Sequence, residues 1–552
     1  MGRIRILPGV LPVALAVLLV AVALPLFFSV GAASATAPVV DAADCTDERE
    51  NDLVGCWEGV HHTDDPDADL GIDQADGLSD GELTNLTYLK MARVEAIRER
   101  PFKSAVDVDV LTREEFAEGQ TATERDPEFD RWNDQVWKAL FVIGEDDSSG
   151  EVIDEVFSGA VAGFYSPADD RIVIVVDDEE AVQVSPSTLL HELGHAMQDQ
   201  YDDLSDPRYT GATQDGDLGI DGAVEGEVVY MEEVYAERCA DEWACTPEPT
   251  GTGGGGGDPN LGVLFTVLQP YSDGAAYVDE LIEDGGWEAV DELMADPPET
   301  TRETIHREPF EPTPIDLNDT AEEGWERYAD QGVNGSDTVG EASMFVSLWY
   351  QSETHGAQFR DPVDITDTDD AHPYQLYNYS HPATNGWAND VLYPYRNDGG
   401  DEERDGYVWR IEWDSDDDAE RFHEAYLRIL DAHDAEHRSD GLYDVAEGDF
   451  RGTYGIERDD TTLTIVHALE PEEVFELRPA LDPTDPPVTL EGDDSFDDPV
   501  GDEFGDLPDE PTGEDDVVGN DDAPGFGIVV ALAALAALLS AGALVARRSR
   551  TL

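Results

Sequence analysis

Apolar residues recur at helical spacing in several stretches of the chain. Ser79-Asp-Gly-Glu82 has the form of a capping box, and Leu83, Leu86, Leu89, Val94 and Ile97 follow until Pro101. Trp132, Val136 and Leu140 predict a second helix over 131–143, stopped at Gly144. A hairpin is predicted from 160–165 to 171–176, across Ser-Pro-Ala-Asp-Asp. Ser185-Pro186 then reads as an N-cap with proline in the first helical position, followed by the stripe Leu189, Leu193, Met197. Another stripe, Val224, Val228, Met231 and Tyr235, predicts a helix from near Asp221. Past the glycine run 253–257, helical spacing dominates near 262–269, 274–284, 340–350 and 417–432. Alternation of Tyr407, Trp409, Ile411 and Trp413 gives one strand, and 463–468 gives another. The expected class is α+β: a small mixed sheet with an edge strand, two helices bearing the chemistry, and a mainly helical C-terminal part.

The ends differ from this body. Arg3 and Arg5 precede an apolar run from Val10 to Val30 and the small-residue site Ala33-Ser34-Ala35. That is the form of a secretory signal peptide over 1–35, with a retained anchor as the alternative. An acidic leader follows over 36–78, and the folded body is expected over 79–480. Residues 481–523 are rich in Asp, Glu, Pro and Gly and read as an extended acidic stalk. In 524–552, an apolar run from Phe526 to Ala546 ends in Arg547-Arg548-Ser549-Arg550, the form of one membrane span with a basic cytoplasmic flank. The body is therefore expected at the cell surface, facing outward and held at its C-terminus.

Charge narrows the partners. Asp and Glu number 127 against 31 Lys and Arg, a formal net charge of −96. Nucleic acid is excluded as a partner, because phosphate binding needs clustered cations. Such a surface repels itself unless salt is concentrated, which is the chemistry of a halophile. The four cysteines, Cys45, Cys56, Cys239 and Cys245, predict two disulfides in an exported chain; of the three connectivities the local one, Cys45–Cys56 and Cys239–Cys245, is expected. Asn85, Asn318, Asn334 and Asn378 open glycosylation sequons.

The candidate chemistry lies in residues 188–200, TLLHELGHAMQDQ. On a helix His191 and His195 share one face, a turn apart, so both imidazoles can hold one Zn2+ from the same side. Glu192 stands beside the metal position, where it can take a proton from activated water. A carboxylate on the next helix would complete the set. Glu225, in Ala223-Val-Glu-Gly226, is the expected third ligand; Glu227, Glu232 and Glu233 are rivals.

HELGHAMQDQ followed by AVEGEV resembles the gluzincin-like haloarchaeal surface proteins with an HExxH…EG pattern. PYSDGAAYVDELIEDGGWEAVDELMADPPETTRETIH, VGEASMF and ATNGWANDVLYPY look like later blocks of that family, in order, over roughly residues 80–480. Ala388-Asn389 stands where relatives often carry Gly-Gly. Pro524-Gly525-Phe526 resembles the PGF-CTERM signal read by an archaeosortase, which implies replacement of the span by a lipid. The resemblance implies a zincin-like fold and a zinc metallopeptidase acting on peptides or proteins. It implies zinc on His191, His195 and Glu225, with Glu192 as base. His306 is its candidate oxyanion donor, or else a histidine that packs its loop. His372, His381 and Tyr165 are weaker alternatives. A catalytically silent zinc-binding surface protein and an acidic envelope interaction protein are the competing readings.

Overall fold

Ser79 caps a helix over Asp80–Arg98: its side chain accepts the Glu82 N–H at 3.4 Å, and Glu82 accepts the Ser79 N–H at 3.0 Å. The computed structural model describes residues 65–484, apart from 117–125, 159–161, 179–180, 250–258, 369–370 and 400–402, together with a short ladder of Cys56–Trp57 against Val60–His61. The expected signal peptide, most of the leader, Cys45, the chain from 485 onward and the sorting residues Pro524, Gly525 and Phe526 lie outside the described residues. Among the described residues no helix is long and apolar enough to cross a membrane.

The chain is mixed α and β. A three-stranded sheet has the order Asp107–Thr112, Arg171–Val176, Gly163–Ser166. The first pair is parallel and the second is the antiparallel hairpin. The strand Asp107–Thr112 was not expected, although Asp and Val alternate in it at period two. In so acidic a chain, alternating Asp stands out little from the background. The end of the leader packs onto this half: the Gln74 side chain donates to Val184 O and accepts the Val184 N–H, both at 2.9 Å.

Two helices carry the candidate site. Ser185 and Pro186 start the motif helix, Pro186–Asp202, with Ser185 Oγ accepting the Thr188 N–H at 3.1 Å. Its Leu189, Leu193 and Met197 are buried with Ile172, Ile174, Leu86 and Met91, between the small sheet and the first helix. The long helix, Gln214–Asp241, begins about two turns before Asp221, where Thr213 caps Gly216. Three glycines in its first turns mask that start in the sequence.

Expected helices appear at Pro127–Ala139, Leu261–Val267, Gln269–Gly285, Gly340–His355 and Asp416–Ala432. The C-terminal part is not mainly helical, however. It is built on a seven-stranded antiparallel sheet in the order Glu326–Arg327, Trp387–Asn397, Arg404–Trp413, Thr462–Ala468, Gly452–Asp459, Tyr443–Val445, Glu436–His437. Pro394 and the polar residues of Trp387–Asn397 hide that strand from a pattern reading. Its outer neighbour pairs only with Tyr395 and Arg396, so a proline is tolerated near this edge. Leu481 is still buried, and the Thr484 N–H donates to Ile456 O, so residues 481–484 belong to the folded body, not to the expected stalk.

Candidate metal centre

The helix period turns His191 and His195 to one face, and the long helix lays Glu225 across it. His191 Nε2 and His195 Nε2 are 3.0 Å apart. Glu225 Oε2 lies 3.2 Å from the first and 3.4 Å from the second. Tetrahedral ligands at zinc's usual 2.0–2.1 Å are about 3.3–3.4 Å from each other. The three atoms therefore outline one face of a zinc tetrahedron. Among the described residues this is the one His/Cys/Asp/Glu group close enough to hold a metal ion, and all three members are buried.

The groups behind the ligands aim them. His191 Nδ1 meets Glu232 Oε2 at 3.0 Å, and His195 Nδ1 meets Gln198 Oε1 at 2.9 Å. Such outer partners fix the ring tautomer, leaving Nε2 as the metal-facing lone pair. Tyr271 stacks on His191 with centroids 6.2 Å apart and planes at 14°. Close helix approach seats the ligands. A Cβ on Gly194 would meet Val228 at 2.9 Å, and one on Gly226 would meet the Gly274 backbone at 2.4 Å.

The electrostatics suit a cation. Burial alone would raise the Glu225 pKa, yet His195 and His191 outweigh it and hold the carboxyl at about 2. Burial would likewise lower both histidines, but Glu232 and Glu225 raise His191, and Glu225 raises His195. Glu192 is fully buried and burial lifts it to about 7. Neither carboxylate makes a hydrogen bond of good geometry: Glu192 is approached by the Tyr165 backbone, and Glu225 by the two histidine rings and Tyr271. Buried carboxylate oxygens are rarely orphaned, and a divalent cation with its water would satisfy both groups. The residues present therefore fit a metal ion.

The other candidates lie elsewhere. Glu227 pairs with Arg98 and accepts from Gln198 at 2.9 Å; Glu232 serves as the partner of His191. No contact joins Glu233 to either histidine. His306 Nε2 is paired with Glu341, at 2.9 and 3.0 Å, and no contact joins it to His191, His195 or Glu225. His372 pairs with Asp279, and His381 meets Asp361 O. The Tyr165 hydroxyl donates to Asp199 at 2.8 Å. Its backbone, on the edge strand Gly163–Ser166, faces Glu192. The roles of Gln198 and Glu232 were not read from the sequence. Their spacing held the signal: Gln198 is three residues after His195, and Glu232 is two turns after Glu225.

Cys239 and Cys245 are bonded. Asn85, Asn318 and Asn334 are exposed, whereas Asn378 is half-buried and accepts the Ser380 N–H. Ala388-Asn389 forms a register irregularity, and both residues bond to Thr313.

The family described as a domain of unknown function (DUF8575) matches residues 326–478. That region is the seven-stranded sheet with its helices and holds none of the metal-facing residues. No curated protein and no solved structure matches the chain.

Proposed function

We propose that this chain is an exported, surface-anchored zinc metallopeptidase of gluzincin type, with a zincin-like catalytic half. The observation that carries the reading is the triangle of His191 Nε2, His195 Nε2 and Glu225 Oε2, with edges of 3.0, 3.2 and 3.4 Å beside the fully buried Glu192. His191, His195 and Glu225 hold the ion, and bound zinc supplies a lowered water pKa and a polarised scissile carbonyl. Glu192, buried beside the metal position, accepts the water proton and returns it to the leaving amine. The edge strand Gly163–Ser166, beside Glu192, offers backbone groups to an extended peptide. Export, anchoring by the 524–552 segment and archaeosortase processing belong to the same reading, supported by the sequence of those segments.

One observation favours a second reading, a zinc-binding surface protein without turnover: His191, Glu192 and Glu225 are 0% exposed and His195 only 5%. The deciding experiment uses full-length protein in molar salt, with zinc content and peptide cleavage measured for wild type and Glu192→Gln. Cleavage lost only in the variant supports the peptidase. Zinc without cleavage in either supports the second reading, and no bound zinc overturns both.

A further inference from the structure

The two metal-facing histidines are supported unequally. His191 has a carboxylate directly behind it, on Glu232. His195 has only a neutral amide, Gln198, and an amide can present either its oxygen or its NH2. The surroundings decide which. Gln198 Nε2 lies 2.8 Å from Val224 O and 2.9 Å from Glu227 Oε2. A backbone carbonyl and a carboxylate can only accept, so the NH2 must face them and the oxygen must face His195. His195 Nδ1 is then the donor, and the Nε2 lone pair is directed at the metal position.

Glu227 is in turn fully buried, and its other oxygen is held by Arg98 Nε in a salt bridge. Arg98 is the last residue of the first helix and is 2% exposed. It also bonds Asp291, and its guanidinium lies 4.2 Å from the Trp287 ring centroid. Arg100 reaches the same pair from 4.0 Å at Glu227 and 3.1 Å at Asp291. A chain of four residues thus runs inward from the first helix to the metal position: Arg98, Glu227, Gln198, His195.

Resting on the metallopeptidase reading, we infer that Arg98 is a positioning residue for the metal centre, acting through Glu227 and Gln198 to hold His195 in its metal-ready tautomer. Without the Arg98 guanidinium, Glu227 keeps only Gln198 and the more distant Arg100, so the buried carboxylate must shift or recruit another donor, and Gln198 then relies on Val224 O to hold its amide while its Glu227 contact moves. Removing both charges should restore the arrangement, because an amide oxygen at position 227 still accepts from Gln198 Nε2.

The test measures zinc affinity by chelator competition, and the absorption of the Co2+-substituted protein, in full-length wild type, Arg98→Met, Arg98→Lys and the double variant Arg98→Met/Glu227→Gln. A melting curve reports the fold of each. Arg98→Met should weaken zinc about 10- to 100-fold and alter the cobalt spectrum, with the double variant restoring both. Arg98→Lys should fall between, since an ammonium lacks the planar fork that spans Glu227 and Asp291. A merely structural arginine would lower the melting temperature and leave affinity and spectrum unchanged; that outcome overturns the inference. If Arg98→Met does not fold, the lysine and double variants decide it, and wild-type affinity in the lysine variant with weakened affinity in the double variant also overturns it. Zinc absent from wild type removes this inference together with the metallopeptidase reading. Zinc bound equally by all variants removes this inference alone.

Discussion

Gly226→Ala isolates the helix crossing that seats Glu225. Considered alone, the change favours the long helix, since alanine is better than glycine in a helix interior by about 1 kcal/mol. The crossing opposes it. A Cβ at 226 would lie 2.4 Å from Gly274 C and 2.5 Å from Gly274 O, both backbone atoms that no rotamer change can move. Ordinary contact begins near 3.4 Å, so the long helix and Gln269–Gly285 must separate locally by about 1 Å. Overpacking of this kind costs about 1–3 kcal/mol, which leaves a net loss of roughly 0–2 kcal/mol. The larger consequence falls on the metal. Glu225 is the preceding residue, and ligand distances tolerate only about 0.2 Å, so a 1 Å shift should weaken zinc well beyond what the stability loss implies. Chelator competition gives the affinity and a thermal melt the stability, in molar salt, with Gly81→Ala as control because nothing lies within 4 Å of a Cβ there. A Gly226→Ala protein that matches the control in both measurements refutes the argument.

Glu192→Gln should keep zinc and lower peptide cleavage by about 10²–10⁴-fold, read from steady-state rates; equal rates would remove Glu192 as the base. Chelation should lower the melting temperature, because zinc at about 1,000 times its Kd adds about 4 kcal/mol; an unchanged melt would mean no folded-state metal. Asp215 carries a pH prediction, since burial first, then Asp390 and Glu341, push it up to about 8 from 3.8. The folded chain keeps a proton there that the unfolded chain has released, so this stabilisation is full below pH 3.8 and is lost as pH rises to about 8. Asp215→Asn should therefore flatten the decline by up to about 1.4 kcal/mol per pH unit between about pH 5 and 8; parallel wild-type and variant curves would exclude it. Lowering salt from about 1 M to 0.1 M lengthens screening from about 3 to 10 Å and should lower the melting temperature steeply, and a flat salt profile would contradict the charge argument.

The motif helix was legible because three local signals agree in one short segment: a cap, a proline and a stripe of leucines. Glu225 was legible because it neighbours the buried stripe of the next helix. Other features depend on residues far apart in the chain. Nothing local says that Glu227 meets Arg98, 129 residues away, or that Glu232 stands behind His191, 41 residues away. The large sheet was missed for a related reason. Trp409 and Ile411 alternate strongly because their strand is central, whereas Trp387–Asn397 carries a proline and a bulge, and Tyr443–Val445 is too short to show a period. The long helix was entered late because Gly216, Gly219 and Gly222 weaken its first turns as a helical signal, although Asp215 there takes its bonds from Thr301 across the fold.

The few basic residues are placed in a way that bears on both salt and metal. Lys90, Arg93 and Arg98 lie on the inner face of the first helix and are 0–2% exposed, in a chain of formal charge −96. Lys90 meets the Tyr235 hydroxyl, Arg93 binds the carbonyls of Pro66 and Ala244, and Arg98 binds Glu227. These contacts tie the first helix to the long helix and the disulfide loop. Because they are dry, dissolved ions screen them little, unlike the exposed Arg451–Asp146 pair. Salt therefore acts on repulsion among exposed carboxylates, while the groups behind the metal ligands keep their strength at any ionic strength that leaves the chain folded. The exposed carboxylates on which salt would act and the buried groups behind the metal position thus lie in different layers of the molecule.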